Sequence, residues 1–355
     1  MLLVDNPSPR VRVLLVDDSP VELEIIRRTL AADPGIEVVG TAVNGEEGLK
    51  QVRLLRPDVV CTDYHMPVMD GLAFTQRVMA EFPCPILVLS ISAQPHQAKN
   101  ILMMIQAGAI DVMAKPLASD GGVSNLDGRR LAEKVKILRG VHCIPLRQRK
   151  AGASLVSVAE KPGSPVPSII GIGSSTGGPQ ALAAILPNLP RGFPAALVCA
   201  QHISKGFLDG LIQWLAETCA LPVRLAAPGS KPQPGHIYFA PEGGNLYLDS
   251  NGVFQMSAPS DSDIYIPNID VLLSSIARVY GERSAGVLLS GMGRDGVIGL
   301  RDIRANGGKT LVQDKASCIV FGMPGAAIEA GVVDNVLPLD LIGSAISNLC
   351  QSSKE

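Results

Sequence analysis

The stretch SIIGIGSSTGGPQALAAILP (residues 168–187) contains, in order, a short apolar run, a glycine-rich turn and a helix-like segment. A buried strand followed by a tight turn and a helix is the repeating unit of parallel α/β proteins. Similar aliphatic runs alternate with helical patterns on both sides of this stretch, almost from end to end of the chain. Because aromatic residues make up only 4% of the sequence, we expect a core of aliphatic side chains, as is typical of buried parallel strands.

Five aliphatic runs precede this stretch in the first third of the chain, with amphipathic segments between them. The predicted strands are VRVLLV (11–16), IEVVG (36–40), DVVCT (58–62), PILVLS (85–90) and DVMA (111–114). Leu23, Ile26 and Leu30 share one face of the segment between the first two runs, which predicts a helix. Five such units fit one doubly wound domain of about 130 residues.

The alternation stops at residues 140–167, where four prolines and a basic cluster replace it. Such a stretch is typical of a linker. A chain of 355 residues also favours about two domains. We therefore expect residues 10–139 and residues 168–352 to form two α/β domains, each with a doubly wound parallel sheet, joined by this linker.

The composition argues against several classes of protein. Lysine and arginine (31 residues) nearly balance aspartate and glutamate (33 residues), whereas nucleic-acid binding requires a basic face, so we expect no nucleic-acid partner. The seven cysteines are odd in number and form no C-x-x-C pair, which indicates reduced thiols rather than disulfides or a zinc site. Neither a signal peptide nor an apolar run of about 18 residues is found. We therefore expect a cytoplasmic protein that does not insert into a membrane.

Charged and polar side chains follow the predicted strands of the first domain, at the end where ligands bind in open parallel sheets. Asp17 and Asp18 follow the first strand, Asp63 follows the third, Ser90 ends the fourth and Lys115 follows the fifth. Three converging carboxylates repel one another unless a hard cation such as Mg²⁺ joins them. Such a site favours transfer of a phosphoryl group to Asp63, with Lys115 stabilising its oxygens. The alternative is that the first two aspartates merely cap the next helix and that Lys115 is a solvated charge.

This first domain resembles the response-regulator receiver family. The motifs that carry the resemblance are the paired aspartates, D-x-x-M-P at 63–67, MDG at 69–71 and KP at 115–116. The resemblance implies a flavodoxin-like receiver in which Asp63 accepts the phosphoryl group. Asp17, Asp18 and Asp63 would then hold Mg²⁺. Ser90 and Lys115 would sense the phosphoryl group, and a histidine kinase would donate it.

The second domain contains a candidate nucleophile elbow. GSSTG at 173–177 fits G-x-S-x-G, in which a tight turn after a strand presents a serine, here Ser175, at a helix N-terminus. A glycine-rich loop that cradles a phosphate is the alternative. A nucleophilic serine needs a base, and His202 ends the predicted strand AALVCAQH at the correct side of the sheet. Asp295 follows the predicted strand VLLS and would orient that base.

The loop that carries Asp295 also satisfies a second pattern. GMGRDG at 291–296 fits G-x-G-x-x-G between a strand and a helix, and Asp314 lies about 20 residues further on, as in dinucleotide-binding domains. Asp295 would, however, place a carboxylate where the pyrophosphate has to bind, which disfavours that interpretation. A plain helix cap is the remaining alternative for Asp295.

The loops of the second domain resemble the protein-glutamate methylesterase domain of chemotaxis. The segments that carry the resemblance are GIGSSTGGP (171–179), Gln201–His202, YFAPEGGNLYL (238–248), LLSGMGRDG (288–296) and VFGMPGAAIE (320–329). With a receiver and a linker in front, the domain order is similar to that of chemotaxis response-regulator methylesterases. The resemblance implies that Ser175 is the nucleophile, His202 the base and Asp295 the residue that orients it. It also implies that Thr176 supports the histidine and that the Met292 backbone contacts the oxyanion.

Four positions depart from the patterns of the two families. Val112 stands where receivers usually have an aromatic residue three positions before the lysine, and His65 is unusual two positions after Asp63. Asn268 replaces an expected serine, and Gly325 follows Met-Pro where lysine is common. The resemblance therefore does not fix the switching mechanism, the lifetime of the acyl phosphate or the docking of substrate.

Taken together, the patterns predict a phosphorylation-regulated serine esterase that hydrolyses glutamate methyl esters on the cytoplasmic part of chemoreceptors and releases methanol. The same chemistry would deamidate receptor glutamines, since only the leaving group differs. We expect the esterase to need no cofactor and the receiver to restrain it until Asp63 is phosphorylated. The alternative is a phospho-regulated binding module whose esterase site is vestigial.

Overall fold

The computed structural model describes residues 10–90, 95–116, 118–119, 122–123, 125–141, 143, 165–260 and 263–350. The chain divides into two compact units, Met1–Arg149 and Lys150–Glu355. The boundary falls inside the predicted linker, most of which lies outside the described residues, so the predicted limits of the linker and of the domains stay predictions. Among the described helices, none has both the length and the hydropathy of a membrane-spanning segment.

The first unit is built around a parallel sheet. Its strands are β1 Val11–Val16, β2 Ile36–Ala42, β3 Val59–Thr62, β4 Ile86–Ser90 and β5 Asp111–Ala114. The described helices that alternate with them are α1 Pro20–Ala31, α2 Gly45–Leu55, α3 Gly71–Glu81, α4 Pro95–Ala107 and α5 Asn125–Leu138. A short hairpin, β6 Ala118–Ser119 with β7 Gly122–Val123, precedes the last helix. The spatial order β2-β1-β3-β4-β5 is that of a flavodoxin-like domain, which confirms the predicted fold.

The inner strands of this sheet form where the sequence is aliphatic because they are buried on both faces. Every residue of β3 and β4 is buried, and in β1 only Arg12 is partly exposed. Continuous burial produces apolar runs rather than an alternating pattern. Ser19, Asn44 and Asp70 cap the first turns of α1, α2 and α3 and so set where these helices begin.

The second unit has a larger parallel sheet. Its strands and those of an accessory hairpin are β8 Ile169–Ser174, β9 Ala196–Gln201, β10 Val223–Leu225, β11 Ile237–Phe239, β12 Asn245–Leu248, β13 Phe254–Ser257, β14 Ser284–Leu288, β15 Lys309–Gln313 and β16 Asn335–Leu337. The seven-stranded sheet has the order β10-β11-β9-β8-β14-β15-β16, while β12 and β13 pair antiparallel with each other. The prediction of a second, larger parallel α/β domain is therefore confirmed.

The helices of this unit connect the strands. Those in the described residues are α6 Gly178–Ile185, α7 Leu208–Thr218, α8 Ile269–Tyr280, α9 Val297–Ala305, α10 Met323–Glu329 and α11 Leu339–Leu349. Helix α8 packs directly on the central strand β8, because a side chain at Gly173 would overlap Ile269. A side chain at Gly171 would overlap Leu273, one turn further along α8. The glycines of β8 thus place the N-terminus of α8 at the carboxyl edge of the sheet.

Candidate functional site

Neighbouring central strands of the larger sheet bring Ser175, His202 and Asp295 to one edge. The register pairs Ser174 of β8 with Gln201 of β9, so Ser175 and His202 each follow a matched pair. Asp295 lies in the loop after β14, which flanks β8 on the other side. All three side chains are largely buried. The predicted constellation is therefore assembled at the carboxyl ends of three adjacent strands.

The imidazole of His202 is bonded to Asp295 through one nitrogen only. The distance from His202 Nε2 to Asp295 Oδ2 is 2.9 Å. Because an ionised carboxylate only accepts hydrogen bonds, this contact assigns the proton to Nε2 and leaves a lone pair on Nδ1. Within the described part of the chain, the buried Nδ1 has no hydrogen-bond partner. Neither the Ser175 hydroxyl nor the Thr176 hydroxyl is therefore bonded to the ring in this structure.

Asp295 is held in place by backbone groups of helix α8. Its Oδ2 accepts from the N–H of Ile269 and its Oδ1 from the N–H of Asp270, each at 2.9 Å. The carboxylate thus lies at the N-terminus of a helix, where backbone N–H groups have no partner within the helix. The loop also precedes helix α9, but the side chain that accepts from an N–H in the first turn of that helix is Asp270, bonded to Gly299 at 2.8 Å. Asp295 is therefore a cap of α8 and not of its own helix, and it holds His202 at the same time.

The other residues of the dinucleotide pattern have local structural roles. Asp314 accepts hydrogen bonds from the backbone N–H of Ser317 at 2.9 Å and from its hydroxyl at 2.5 Å, which fixes the turn after β15. Gly291 packs against the elbow, since a Cβ there would lie 2.8 Å from the Cβ of Ser175. These contacts argue against the dinucleotide interpretation, because the acid and the glycine it needs are already used.

Gln201 is a site residue that sequence reasoning missed. Its Nε2 donates to the carbonyl oxygens of Ser175 at 2.9 Å and of His202 at 2.8 Å. Its Oε1 accepts from the hydroxyl of Ser174 at 2.6 Å. One buried amide therefore ties the turn of the nucleophile to that of the base. The available signal was a glutamine at the buried end of a strand, since a buried amide needs partners.

The backbone around the elbow leaves particular N–H groups available. The N–H of Ser175 donates to the carbonyl oxygen of Ser290 at 3.0 Å and is therefore engaged. The Ser290 hydroxyl in turn donates to the carbonyl oxygen of Thr176 at 2.8 Å. Among the described residues, the N–H groups of Thr176 and Met292 donate to no acceptor. Free N–H groups at such an edge can donate to a developing oxyanion, and the predicted contact from the Met292 backbone stays a prediction.

Asn268 and Gly325, the two residues of this unit that differ from the family pattern, each contact neighbouring residues. Asn268 caps α8, because its Oδ1 accepts from the N–H of Val271 at 2.9 Å. Serine is an equally good cap residue, so the replacement preserves the helix start. Gly325 lies in α10 beside the ring of Phe321, where a Cβ would be 3.2 Å from the ring. The effect of either residue on substrate docking stays a prediction.

The acidic cluster of the first unit is also brought together. Carboxylate oxygens of Asp17, Asp18 and Asp63 lie within 4.8 Å of one another. The Nζ of Lys115 is 2.7 Å from Asp17 Oδ2 and 3.3 Å from Asp63 Oδ2. Lys115 also forms an ion pair with Glu22 of α1, a partner that sequence reasoning missed. Three carboxylates within this span are the oxygen ligands that a hard cation prefers.

Electrostatics in this cluster are a balance between burial and opposite charge. Burial raises the pKa of Asp63, Lys115 opposes that rise and the charge of Asp17 adds to it. Burial alone would lower the pKa of Lys115, but its contacts with Asp17, Asp63 and Glu22 outweigh burial and raise it. Helix α1 is capped by Ser19, so the helix-cap alternative does not account for the aspartates.

The remaining receiver residues lie where the strands place them. Ser90 is buried at the end of β4, and its carbonyl oxygen accepts from the N–H of Lys115 at 2.8 Å. Residues 91–94, which follow it, are outside the described residues. Val112 is buried in β5, and His65 is exposed beside the ring of a neighbouring tyrosine. The predicted roles of these residues in phosphoryl sensing and switching stay predictions.

Two family models match this chain, one in each unit. The model described as CheB methylesterase matches residues 170–346, and the response regulator receiver domain model matches residues 13–127. A solved structure also resembles the second unit, the catalytic domain of the CheB methylesterase of Thermotoga maritima. It is 39% identical, covers 52% of this chain and 98% of its own, and has a TM-score of 0.50.

Full-length relatives match both units together. Protein-glutamate methylesterase/protein-glutamine glutaminase 2 of Anaeromyxobacter dehalogenans is 43% identical over 354 residues, which are 98% of this chain and 99% of that protein. The protein-glutamate methylesterase/protein-glutamine glutaminase of Nitrosospira multiformis is 38% identical over 345 residues, covering 96% and 97% of the two chains. The similarity is therefore not confined to one domain.

Proposed function

The chain belongs to the family of protein-glutamate methylesterases/protein-glutamine glutaminases that carry a receiver domain, and from this premise we propose how its own residues perform the reaction. The protein is a phosphorylation-regulated serine esterase that hydrolyses glutamate methyl esters on chemoreceptors. The observation that carries the mechanism is the state of His202. Its Nε2 is bonded to Asp295, and its Nδ1 is a buried acceptor beside the turn of Ser175.

Ser175 is the nucleophile in this mechanism. Its Oγ attacks the ester carbonyl carbon while its proton moves to Nδ1 of His202. Asp295 stabilises the imidazolium that results, and its own position is fixed by the N-terminus of α8. The tetrahedral oxyanion accepts hydrogen bonds from the backbone N–H groups of Thr176 and Met292.

The intermediate collapses when the imidazolium gives its proton to the leaving oxygen, so methanol departs and an acyl-enzyme forms. Water then attacks the acyl carbon while Nδ1 of His202 takes its proton. The imidazolium returns that proton to the leaving Oγ of Ser175, which frees the glutamate and restores the enzyme. With a glutamine side chain the leaving group is ammonia and the remaining steps are unchanged. These residues thus supply both the esterase and the glutaminase chemistry, with water and the substrate as the other reactants.

Asp63 is the phosphoryl acceptor of the receiver domain in this proposal. Asp17, Asp18 and Asp63 would hold the Mg²⁺ that phosphorylation requires, since their carboxylates have the spacing and chemistry of a hard-cation site. Lys115 and Ser90 contact the phosphoryl group, and Lys115 is already held against Asp63. A histidine kinase donates the group, and the substrate is the cytoplasmic part of a methylated chemoreceptor. Both partners place the protein in the cytoplasm.

The test is methanol release from a methylated chemoreceptor fragment by the full chain and by its Ser175→Ala variant. We expect Ser175→Ala to lose at least about 10³-fold in rate, because the variant lacks the hydroxyl at the nucleophile position of the elbow. Ser174→Ala is the matched control, since this neighbouring buried serine donates only to Gln201. A Ser175→Ala protein that released methanol at the full rate would exclude this mechanism.

A generic small ester separates the enzyme from the alternative, a binding module with a vestigial site. The assembled contact between His202 and Asp295 favours the enzyme. Hydrolysis of the small ester that disappears in both Ser175→Ala and His202→Ala would establish catalysis at this site. Tight receptor binding without any turnover would establish the binding module.

A further inference from the structure

An aromatic side chain lies flat against the catalytic imidazole. The rings of His202 and Tyr265 are stacked, with centroids 4.7 Å apart and planes only 11° from parallel. Tyr265 is partly buried and belongs to the segment between hairpin strand β13 and helix α8. The tyrosine ring also lies near Gly293, where a Cβ would be 3.5 Å from the ring. The tyrosine is thus close both to the imidazole and to the loop that carries Asp295.

The imidazole needs a support of this kind because one hydrogen bond does not fix a ring. The contact of Nε2 with Asp295 fixes one atom of His202, and Nδ1 is bonded to nothing in the described residues. The ring can therefore pivot about the line joining the histidine and the carboxylate. In the proposed mechanism Nδ1 takes the proton of Ser175, so the ring plane has to point the Nδ1 lone pair toward that hydroxyl. A parallel aromatic face restricts that plane without competing for either nitrogen.

The segment that carries Tyr265 is itself anchored. Two residues earlier, Asp263 accepts from the side-chain amide of Asn245 at 2.8 Å and from the backbone N–H of Ser260 at 2.8 Å. It also accepts from the side-chain amide of Asn268, the cap of α8, at 3.1 Å. The first N–H groups of α8 hold Asp295. One anchored segment therefore fixes both the face of the imidazole and the carboxylate at its edge.

We propose that Tyr265 is a positioning residue of the esterase, which holds the plane of the His202 ring and stabilises the imidazolium that forms during acylation. The electron-rich face of a tyrosine attracts a cation stacked on it more than a neutral ring. The charged group bonded to the imidazole is Asp295, and Asp270 in turn interacts electrostatically with Asp295. Both are anionic when ionised, so they act in the same direction as the tyrosine face. This proposal rests on His202 being the base, as proposed above.

The experiment compares Tyr265→Phe and Tyr265→Leu in the full chain, with a small ester and with methylated receptor. Tyr247→Leu is the matched control, because it makes the same change at a partly buried tyrosine in β12. We expect Tyr265→Leu to lower kcat about 10- to 100-fold with little change in KM, since ring orientation affects the chemical step. We expect Tyr265→Phe to keep kcat within about 3-fold of the unchanged chain, because it retains the aromatic face.

The pH dependence of kcat distinguishes the two possible roles of Tyr265. If Tyr265 only stabilised the fold, its replacement would not shift this pH dependence. Activity rises with pH as the base loses its proton, and the stacked face favours the protonated ring. We therefore expect the acid limb of kcat for Tyr265→Leu to move about half a pH unit toward lower pH, while Tyr265→Phe and Tyr247→Leu keep the original limb. Titration of the His202 ring signals by NMR in a Ser175→Ala background checks the same shift without any turnover.

Each outcome decides the matter. Loss of kcat in Tyr265→Leu with a shifted limb, and rescue in Tyr265→Phe, supports the positioning role. An unshifted limb, an unchanged kcat in Tyr265→Leu, or equal damage in Tyr265→Phe overturns it, the last because the hydroxyl rather than the ring face would then matter. Failure of the serine mechanism itself is distinguishable, since it appears as full activity in Ser175→Ala whatever Tyr265 does.

Discussion

The esterase site and the acidic cluster of the receiver occupy the same place in two parallel sheets, yet different groups stabilise them. In the esterase, backbone N–H groups of α8 hold Asp295, and Asp295 holds His202. In the receiver, side chains balance one another, with Lys115 paired to Asp17 and Asp63 across short distances. One site is fixed by the helix scaffold, whereas the other is a balance of opposite charges.

This difference suits two kinds of chemistry. A helix N-terminus keeps its partial charge through every turnover, so the esterase geometry is the same before and after each reaction. A cluster of like charges changes its balance whenever a cation or a phosphoryl group is added, because Asp63 is destabilised in its charged form by burial and by Asp17. The first arrangement favours repeated catalysis, and the second favours a change of state.

The largest effect is expected from a substitution in the esterase site, where backbone N–H groups hold the carboxylate. We expect Asp295→Asn to reduce kcat/KM for methanol release by about 10³- to 10⁴-fold, because an amide presents a donor where His202 Nε2–H needs an acceptor. Asp314→Asn is the matched control, since Asp314 also follows a strand of the same sheet but only fixes a turn. We expect that control to stay within about 3-fold of the unchanged chain. Steady-state kinetics on both variants, with thermal unfolding to verify folding, would contradict the comparison if Asp295→Asn kept a tenth of the activity.

Sequence reasoning could place the candidate site residues of each unit together because they lie at strand ends. Aliphatic runs located the strands within about two residues, and in a parallel sheet every carboxyl end meets at one edge. Ser175 and His202 could be placed together for this reason, and so could Asp17 and Asp63. The strand before Asp295 ends at Leu288, two residues earlier than predicted, without moving Asp295 from that edge.

What the sequence did not reveal are contacts that depend on three-dimensional packing. The partners of Asp295 in α8 precede it by more than 20 residues and are backbone groups, which no motif records. Gln201 was visible only as a neighbour of His202, and Glu22 only as a charge in a helix. The stack of Tyr265 on His202 joins two loops with no shared pattern. Such pairs become apparent only once the register and the helix positions are known.

Removal of divalent cations should separate the two sites. We expect chelation by EDTA to abolish phosphorylation of Asp63 by a small phosphodonor, and with it the stimulation of esterase activity, because the three carboxylates need a cation between them. We expect basal hydrolysis of a small ester to change by less than about 2-fold, because His202 and Asp295 are held by the protein itself. Intact-mass spectrometry and an acyl-phosphate assay measure the phosphorylation of Asp63, and the ester assay measures basal hydrolysis.

Asp18→Asn is a control for the chelator, since it removes one cation ligand while leaving Lys115 and its partners unchanged. It should reproduce the loss of phosphorylation without affecting basal hydrolysis. A fall in basal hydrolysis on chelation, restored by Mg²⁺, would instead show that the esterase depends on a cation and would remove the contrast between the sites.

The smallest effect is expected from removing the repulsion between two neighbouring carboxylates of the esterase unit. Asp270 lies beside Asp295, and burial, together with that neighbouring charge, raises the pKa of Asp270 from its ordinary 3.8 to about 6. A carboxyl whose pKa is raised by folding stabilises the folded chain when protonated, and this contribution is lost as pH rises from about 4 through about 6. Asp270→Asn keeps the Oδ1 that accepts from the N–H of Gly299 at 2.8 Å but carries no charge.

We therefore expect Asp270→Asn to have a higher Tm than the unchanged chain at pH 8, by about 2–4 °C for each kcal/mol relieved, and an equal Tm at pH 4. Asp263→Asn is the control of opposite sign, because hydrogen bonds hold the pKa of Asp263 below its ordinary value, so its removal should destabilise at pH 8. Thermal unfolding from pH 4 to 8 measures both. If Asp270→Asn were less stable at pH 8, the hydrogen bonds from N–H groups at the start of α9 to the charged Asp270 would outweigh its repulsion by Asp295. The esterase site would then lack the destabilising repulsion between carboxylates that is found in the receiver cluster.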